Sequence, residues 1–111
     1  MADENRLDVL AALIAELESR RKVSPKKSYT AKLLGQGRHK VAKKLGEEGV
    51  ELALAIVDGD KKHVTAEAAD VLYHFLVALM ARKVPVSAVM EELERRFAMS
   101  GLEEKAARKA S

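Results

Sequence analysis

The sequence predicts an all-α fold of four to five helices, and three observations carry that expectation. Apolar residues recur at steps of three and four along most of the chain, the spacing of one helical face. The chain has only two prolines, and few β-branched runs that would favour extended sheet. Residues that cap or break helices (Ser28, Asp58-Gly59-Asp60, Pro85) fall between the periodic segments.

The elements follow in order. A first helix is expected over 4–21, with Leu7, Leu10, Ile14 and Leu17 as its stripe, and Ser24-Pro25 then opens a loop. Ser28 suits an N-cap for a short turn through Leu34, broken by Gly35-Gln36-Gly37. A long helix over 38–57 closes at Asp58-Gly59-Asp60. The next covers 61–83, with Ala68/Ala69, Leu72, Phe75/Leu76 and Leu79 on one face, and a last helix covers 87–98 with Val89, Met90, Leu93 and Phe97. Residues 1–98 are thus expected to form a single all-α domain, and 99–111 a charged C-terminal tail. This is more apolar stripe than one small subunit can cover, and a two-fold dimer is the commonest remedy, so a homodimer is expected.

Composition narrows the function. Aromatics make up 4% of the residues, too few for a base-stacking surface on single-stranded nucleic acid. The chain has no cysteine, which excludes disulfides, thiolate metal sites and cysteine nucleophiles. No uninterrupted apolar run approaches the roughly 18 residues that span a bilayer. The N-terminus, Met1-Ala2-Asp3-Glu4-Asn5, is acidic and polar, unlike a signal peptide. The expectation is a cytoplasmic protein with no membrane and no nucleic-acid partner.

The most informative residues are two acidic clusters, Glu47-Glu48-x-x-Glu51 and Glu67-x-x-Asp70, set into apolar or alanine-rich helix. The seam of the 38–57 helix runs Val41, Leu45, Glu48, Leu52 and Ala55/Ile56, so Glu48 takes a core-facing position. A carboxylate buried there is costly unless it is paired or bound to a cation. Each cluster alone is more often solvated surface charge. If the two helices pack antiparallel across the 58–60 turn, however, the clusters face each other. Converging carboxylate oxygens suit a hard divalent ion such as Mg²⁺, with Mn²⁺ a possible substitute. Gly46 and Gly49 flank the paired glutamates, fitting either a close helix crossing or room for a ligand.

His63, Glu67, Asp70 and His74 fall on one line, which invites a di-iron reading. Di-iron bundles use Glu-x-x-His, and no such motif occurs here, so His74 reads better as a hydrogen-bonded histidine behind the acids or in the core. From Lys22 to Lys44 there are eight Lys/Arg residues and no Asp or Glu. Such a stretch is commonly a solvated face or a nucleic-acid footprint. Beside a carboxylate cluster it suits a phosphate-rich small molecule, shared between metal and lysines. Lys40, Lys43 and Lys44 are the expected phosphate contacts, with Arg38 behind them. Because Lys43 and Lys44 are adjacent on a helix, at least one of the three is expected to face solvent.

Glu-Glu-x-x-Glu followed by Glu-x-x-Asp resembles the motif of the all-α, MazG-like nucleotide pyrophosphohydrolases. Three segments narrow the resemblance to the phosphoribosyl-ATP pyrophosphohydrolase branch of histidine biosynthesis: Ser28-Tyr29-Thr30 with Leu33-Leu34 and Gly37; Lys43-Lys44-Leu45-Gly46-Glu47-Glu48; and Glu67 through His74. The tail Ser100-Gly101-Leu102-Glu103-Glu104-Lys105-Ala106 is similar too. The resemblance implies a MazG-like helical bundle that works as an intertwined dimer. It implies Mg²⁺-dependent hydrolysis of the α–β phosphoanhydride of 1-(5-phosphoribosyl)-ATP, to 1-(5-phosphoribosyl)-AMP and pyrophosphate. Glu48, Glu51, Glu67 and Asp70 match the family's metal ligands, and Glu47 and Glu48 are the expected catalytic acids, Glu47 serving a second metal or the water. A chain this short without cysteine resembles the free-standing enzyme rather than the form fused to a cyclohydrolase domain. The alternatives are a MazG-like (deoxy)nucleoside triphosphate pyrophosphatase and, from another class, a non-enzymatic helical module that binds RNA or protein through 22–44.

Overall fold

The computed structural model describes residues 4–98 together with 105, 106, 108 and 109, and these contain α-helices and no strand. The elements are α1 (Leu7–Arg20), α2 (Tyr29–Gly35), α3 (Arg38–Asp58), α4 (Lys61–Ala81) and α5 (Val86–Phe97). The expected charged tail lies outside the described residues except at those four positions.

Local chemistry sets the boundaries. α1 begins at Leu7 rather than residue 4 because Arg6 takes a left-handed conformation, φ 53°, with its guanidinium paired to Asp8. Ser28 caps α2 as its sequence suggests, accepting a hydrogen bond from the Ala31 amide at 3.2 Å. Gly37, at φ 92°, makes the corner before α3, a conformation that side-chain-bearing residues rarely adopt. Asp60 caps α4 by accepting from the His63 amide at 2.8 Å. α4 stops at Ala81, two residues before the expected end. Lys83 turns left-handed there, and the Val84 amide reaches back to the Leu79 carbonyl at 2.9 Å.

α3 and α4 form a helical hairpin and pack on each other more extensively than any other pair. α2 lies against both, and α1 against α2 and α4. The core is Leu17 of α1, Leu33 of α2, Val41 of α3, and Leu76, Val77 and Met80 of α4. The expected seam of α3 is inward at Val41, Leu45, Glu48, Leu52 and Ala55, whereas Ile56 lies outside. On α4 the apolar face read from the sequence is only partly inward: Ala68, Ala69 and Leu72 are exposed. The buried face runs instead through His74, Leu76, Val77 and Met80. α4 carries two apolar faces, and only one meets α1 and α2. By length and composition α4 could also cross a membrane, although it carries Glu67 and Asp70.

The α3–α4 turn requires glycine. A Cβ at Gly59 would sit 2.8 Å from the Ala55 carbonyl oxygen and 2.7 Å from His63 Nδ1. The His63 ring can swing away, but the helix backbone cannot. Gly59→Ala is therefore expected to cost about 1–3 kcal/mol, read as a lowered denaturation midpoint. Wild-type stability in that variant would show that the turn is looser than its geometry implies.

Candidate active site

The antiparallel hairpin brings the two acidic motifs together. Carboxylate oxygens of Glu48, Glu67 and Asp70 all lie within 4.8 Å of one another. Glu48 is 8% exposed, and its Oε2 and that of Glu67 are buried without a hydrogen-bond partner. Glu48 Oε1 is 3.4 Å from Lys44 Nζ, and Glu67 Oε1 is 3.5 Å from His63 Nε2. Repulsion from Glu48 and then Glu67 pushes the Glu51 carboxyl above the usual range, so Glu51 feels both helices although it is itself exposed. The hydrogen bond and charge of Glu48 hold the Lys44 ammonium pKa up.

One lysine is too little to offset three clustered carboxylates with two orphaned oxygens. The donor set is all oxygen, partly buried and strongly anionic, which fits a hard divalent cation. Glu48, Glu67 and Asp70 could hold it directly, with Glu51 at the rim. Behind them, buried His74 places Nδ1 2.7 Å from the Asp70 carbonyl oxygen and Nε2 3.4 Å from the Tyr29 hydroxyl. His74 thus braces the acidic turn from within.

A cavity of about 310 Å³ opens beside the carboxylates, lined by Tyr29, Lys32, Leu33, Gln36, Lys40, Lys43, Lys44 and Glu47. Lys40, Lys43 and Lys44 all line it. Lys40 and Lys43 are exposed, in keeping with the expectation that at least one of the three faces solvent, and all three reach the same open cavity because positions three and four apart share a helical face and α2 lies across its edge. Arg38 is not brought there. It lines a separate, largely apolar groove with His39, Val41 and Arg82. Glu47 faces the lysine cavity rather than the carboxylate cluster. From the sequence, Lys32 is only one of the basic residues of 22–44 and Tyr29 only part of the segment that carries the resemblance, and Gln36 has no role. The available signal was their spacing with Leu33, which places all four on one face of α2. Gly46 and Gly49 have no atom within 4 Å of an added Cβ, so within the chain neither marks a close helix crossing.

The sequence profile described as Phosphoribosyl-ATP pyrophosphohydrolase matches residues 10–97. The chain belongs to that family. The match spans α2, α3 and α4 and so takes in both acidic motifs and the lysine cavity. Among relatives named phosphoribosyl-ATP pyrophosphatase, one from Methylobacterium radiotolerans is 59% identical over 100 residues, covering 90% of this chain and 94% of that protein. One from Rhizobium johnstonii is 52% identical over 105 residues, 95% of each chain. One from Dinoroseobacter shibae is 51% identical over 102 residues, 92% of this chain and all of its own. The helical content fits the all-α expectation of a MazG-like pyrophosphohydrolase.

Proposed function

We propose that this member of the family hydrolyses the α–β phosphoanhydride of 1-(5-phosphoribosyl)-ATP, the second step of histidine biosynthesis. The products are 1-(5-phosphoribosyl)-AMP and pyrophosphate. The observation that carries the reading is the juxtaposition on α3 of a carboxylate cluster and a lysine-lined cavity, joined by Lys44. The relatives' names supply the substrate.

Glu48, Glu67 and Asp70, with Glu51 beside them, would hold Mg²⁺, and Mn²⁺ suits the same oxygens. Bound there, the cation supplies Lewis-acid polarisation of phosphoryl oxygens. The chain does the rest. Lys40, Lys43 and Lys44 offset the charge that grows on departing pyrophosphate. Lys44, already paired to Glu48, ties that charge to the acidic cluster. Water adds its hydroxyl to one phosphorus of the anhydride, the bridging oxygen leaves with the other, and a proton is released. Glu47, facing the lysine cavity, is assigned to orient that water and accept its proton, with Glu48 beside it on the metal side.

The decisive assay measures pyrophosphate release from phosphoribosyl-ATP, dCTP, dUTP and ATP in parallel. Phosphoribosyl-ATP is expected to exceed the others in kcat/KM by at least about a hundredfold, the discrimination a charged group missing from the rivals can give. Preference for a deoxynucleotide would make the protein a general nucleotide pyrophosphatase. No release from any of them would favour a binding module.

The reading includes a homodimer in the cytoplasm. Val50, Leu54 and Val57 (77% exposed) form an outward stripe on α3, and Phe97 of α5 is 85% exposed. No residue of α5 is buried, although Val89, Met90, Leu93 and Phe97 share its apolar face. Uncovered apolar stripes of this size call for a second subunit. Light scattering is expected to give twice the 12.2 kDa chain mass. A stable, active monomer at micromolar concentration would contradict it.

A further inference from the structure

Tyr29 is half-exposed, 52%, yet its inner side is fully engaged. Its ring stacks on Tyr73 with centroids 6.2 Å apart and meets His74 edge-on at 79°. The Asp70 carbonyl can only accept, so His74 Nδ1 carries a proton, and in the neutral ring Nε2 is left as the acceptor. The Tyr29 hydroxyl is directed inward to that Nε2, to which it donates when the ring is neutral. What Tyr29 presents outward is ring, held in place.

That ring stands between two cationic spaces. On one side is the lysine cavity next to the carboxylates. On the other is a cavity of about 650 Å³ lined by Pro25, Lys26, Lys27, Ser28, Tyr29 and Lys32. Tyr29 and Lys32 line both, so the two are contiguous, and no carboxylate lines the second. A molecule with one phosphate cluster needs only one of them. Phosphoribosyl-ATP has a triphosphate at one end, a monophosphate at the other, and a purine between.

We propose that Tyr29 is a specificity-determining residue, a fixed aromatic wall for the nucleoside, and that Lys26 and Lys27 beyond it bind the substrate's ribose 5-phosphate. The assignment rests on the pyrophosphohydrolase reading and adds the feature that separates this substrate from ATP. An aromatic ring whose polar handle is already used suits the flat, apolar part of a ligand. The lysines suit the phosphate that ATP lacks.

The test is the Lys26→Gln/Lys27→Gln double variant, whose side chains lie on an exposed loop where exchange leaves the fold intact. Its kcat/KM for phosphoribosyl-ATP is expected to fall about tenfold or more. Inhibition by free pyrophosphate, which reports on the metal side, should move less than twofold. Ribose 5-phosphate should compete with substrate in the wild type and not in the variant. Tyr29→Leu should lower kcat/KM for phosphoribosyl-ATP in the same way. A double variant with unchanged kcat/KM overturns the proposal, and so does one whose pyrophosphate inhibition weakens in step, since that is a general charge effect. Either result, with an active wild type, leaves the pyrophosphohydrolase reading intact. A wild type inactive on phosphoribosyl-ATP defeats that reading instead.

Discussion

Glu48→Gln is expected to lower pyrophosphate release by at least about a thousandfold, roughly 4 kcal/mol of barrier, while leaving a folded helical protein. The carboxylate is buried, one oxygen has no partner, and Glu67 and Asp70 crowd it. Such a group is unfavourable in the cation-free fold, because a buried charge among like charges has only the half-exposed Lys44 ammonium to offset it. Neutralising it removes that repulsion, so thermal stability in EDTA should hold or rise. With Mg²⁺ the order should reverse. A ligand that binds only the folded state raises the wild-type melting temperature, and the variant lacks the binding. Near wild-type turnover by Glu48→Gln would show that the site has been placed wrongly. A collapse of stability in EDTA would show that Glu48 serves the fold instead.

Leu33→Ala is expected to have the largest effect on stability. Leu33 is 3% exposed and is the residue through which seven-residue α2 enters the core, beside Leu17, Val41 and Leu76. Truncation of a buried leucine costs about 2–5 kcal/mol, a large part of the 5–15 kcal/mol typical of a small domain. The functional consequence follows from position. The same short helix carries Tyr29 and Lys32, and Gln36 just past its end, to the lysine cavity. A loosened α2 should raise KM for substrate more than it lowers kcat, since the carboxylates stand on the other helices. Chemical denaturation and steady-state kinetics read the two effects separately. Loss of stability with unchanged KM would detach α2 from substrate binding.

Helical periodicity explains how much of the site could be read from the chain. Glu48 stands on the seam between Leu45 and Leu52, and a seam position is inward whatever residue fills it. The 58–60 turn is short enough to force α3 and α4 side by side, so the two acidic motifs had to meet. What periodicity cannot supply is which face of a second helix lies opposite. α4 is apolar on two sides, and the sequence alone did not show that His74, Val77 and Met80 face inward while Ala68, Ala69 and Leu72 stay exposed. Lys43 and Lys44 diverge on an isolated helix, yet α2 across its edge gathers both into one cavity. Arg38, one turn earlier than that crossing, falls into a different groove. The individual role of Tyr29 is not legible for a related reason, since its value depends on His74, forty-five residues away in sequence.

On the proposed reading, Glu48, Glu67 and Asp70 form one divalent-cation site across the α3–α4 hairpin. Titration with Mn²⁺ followed by electron paramagnetic resonance tests it without reference to turnover. The wild type should bind the ion and release it to excess Mg²⁺. Asp70→Asn and Glu48→Gln, substitutions on different helices, should each abolish that binding while circular dichroism stays helical. Undiminished Mn²⁺ binding by both variants would place the cation elsewhere.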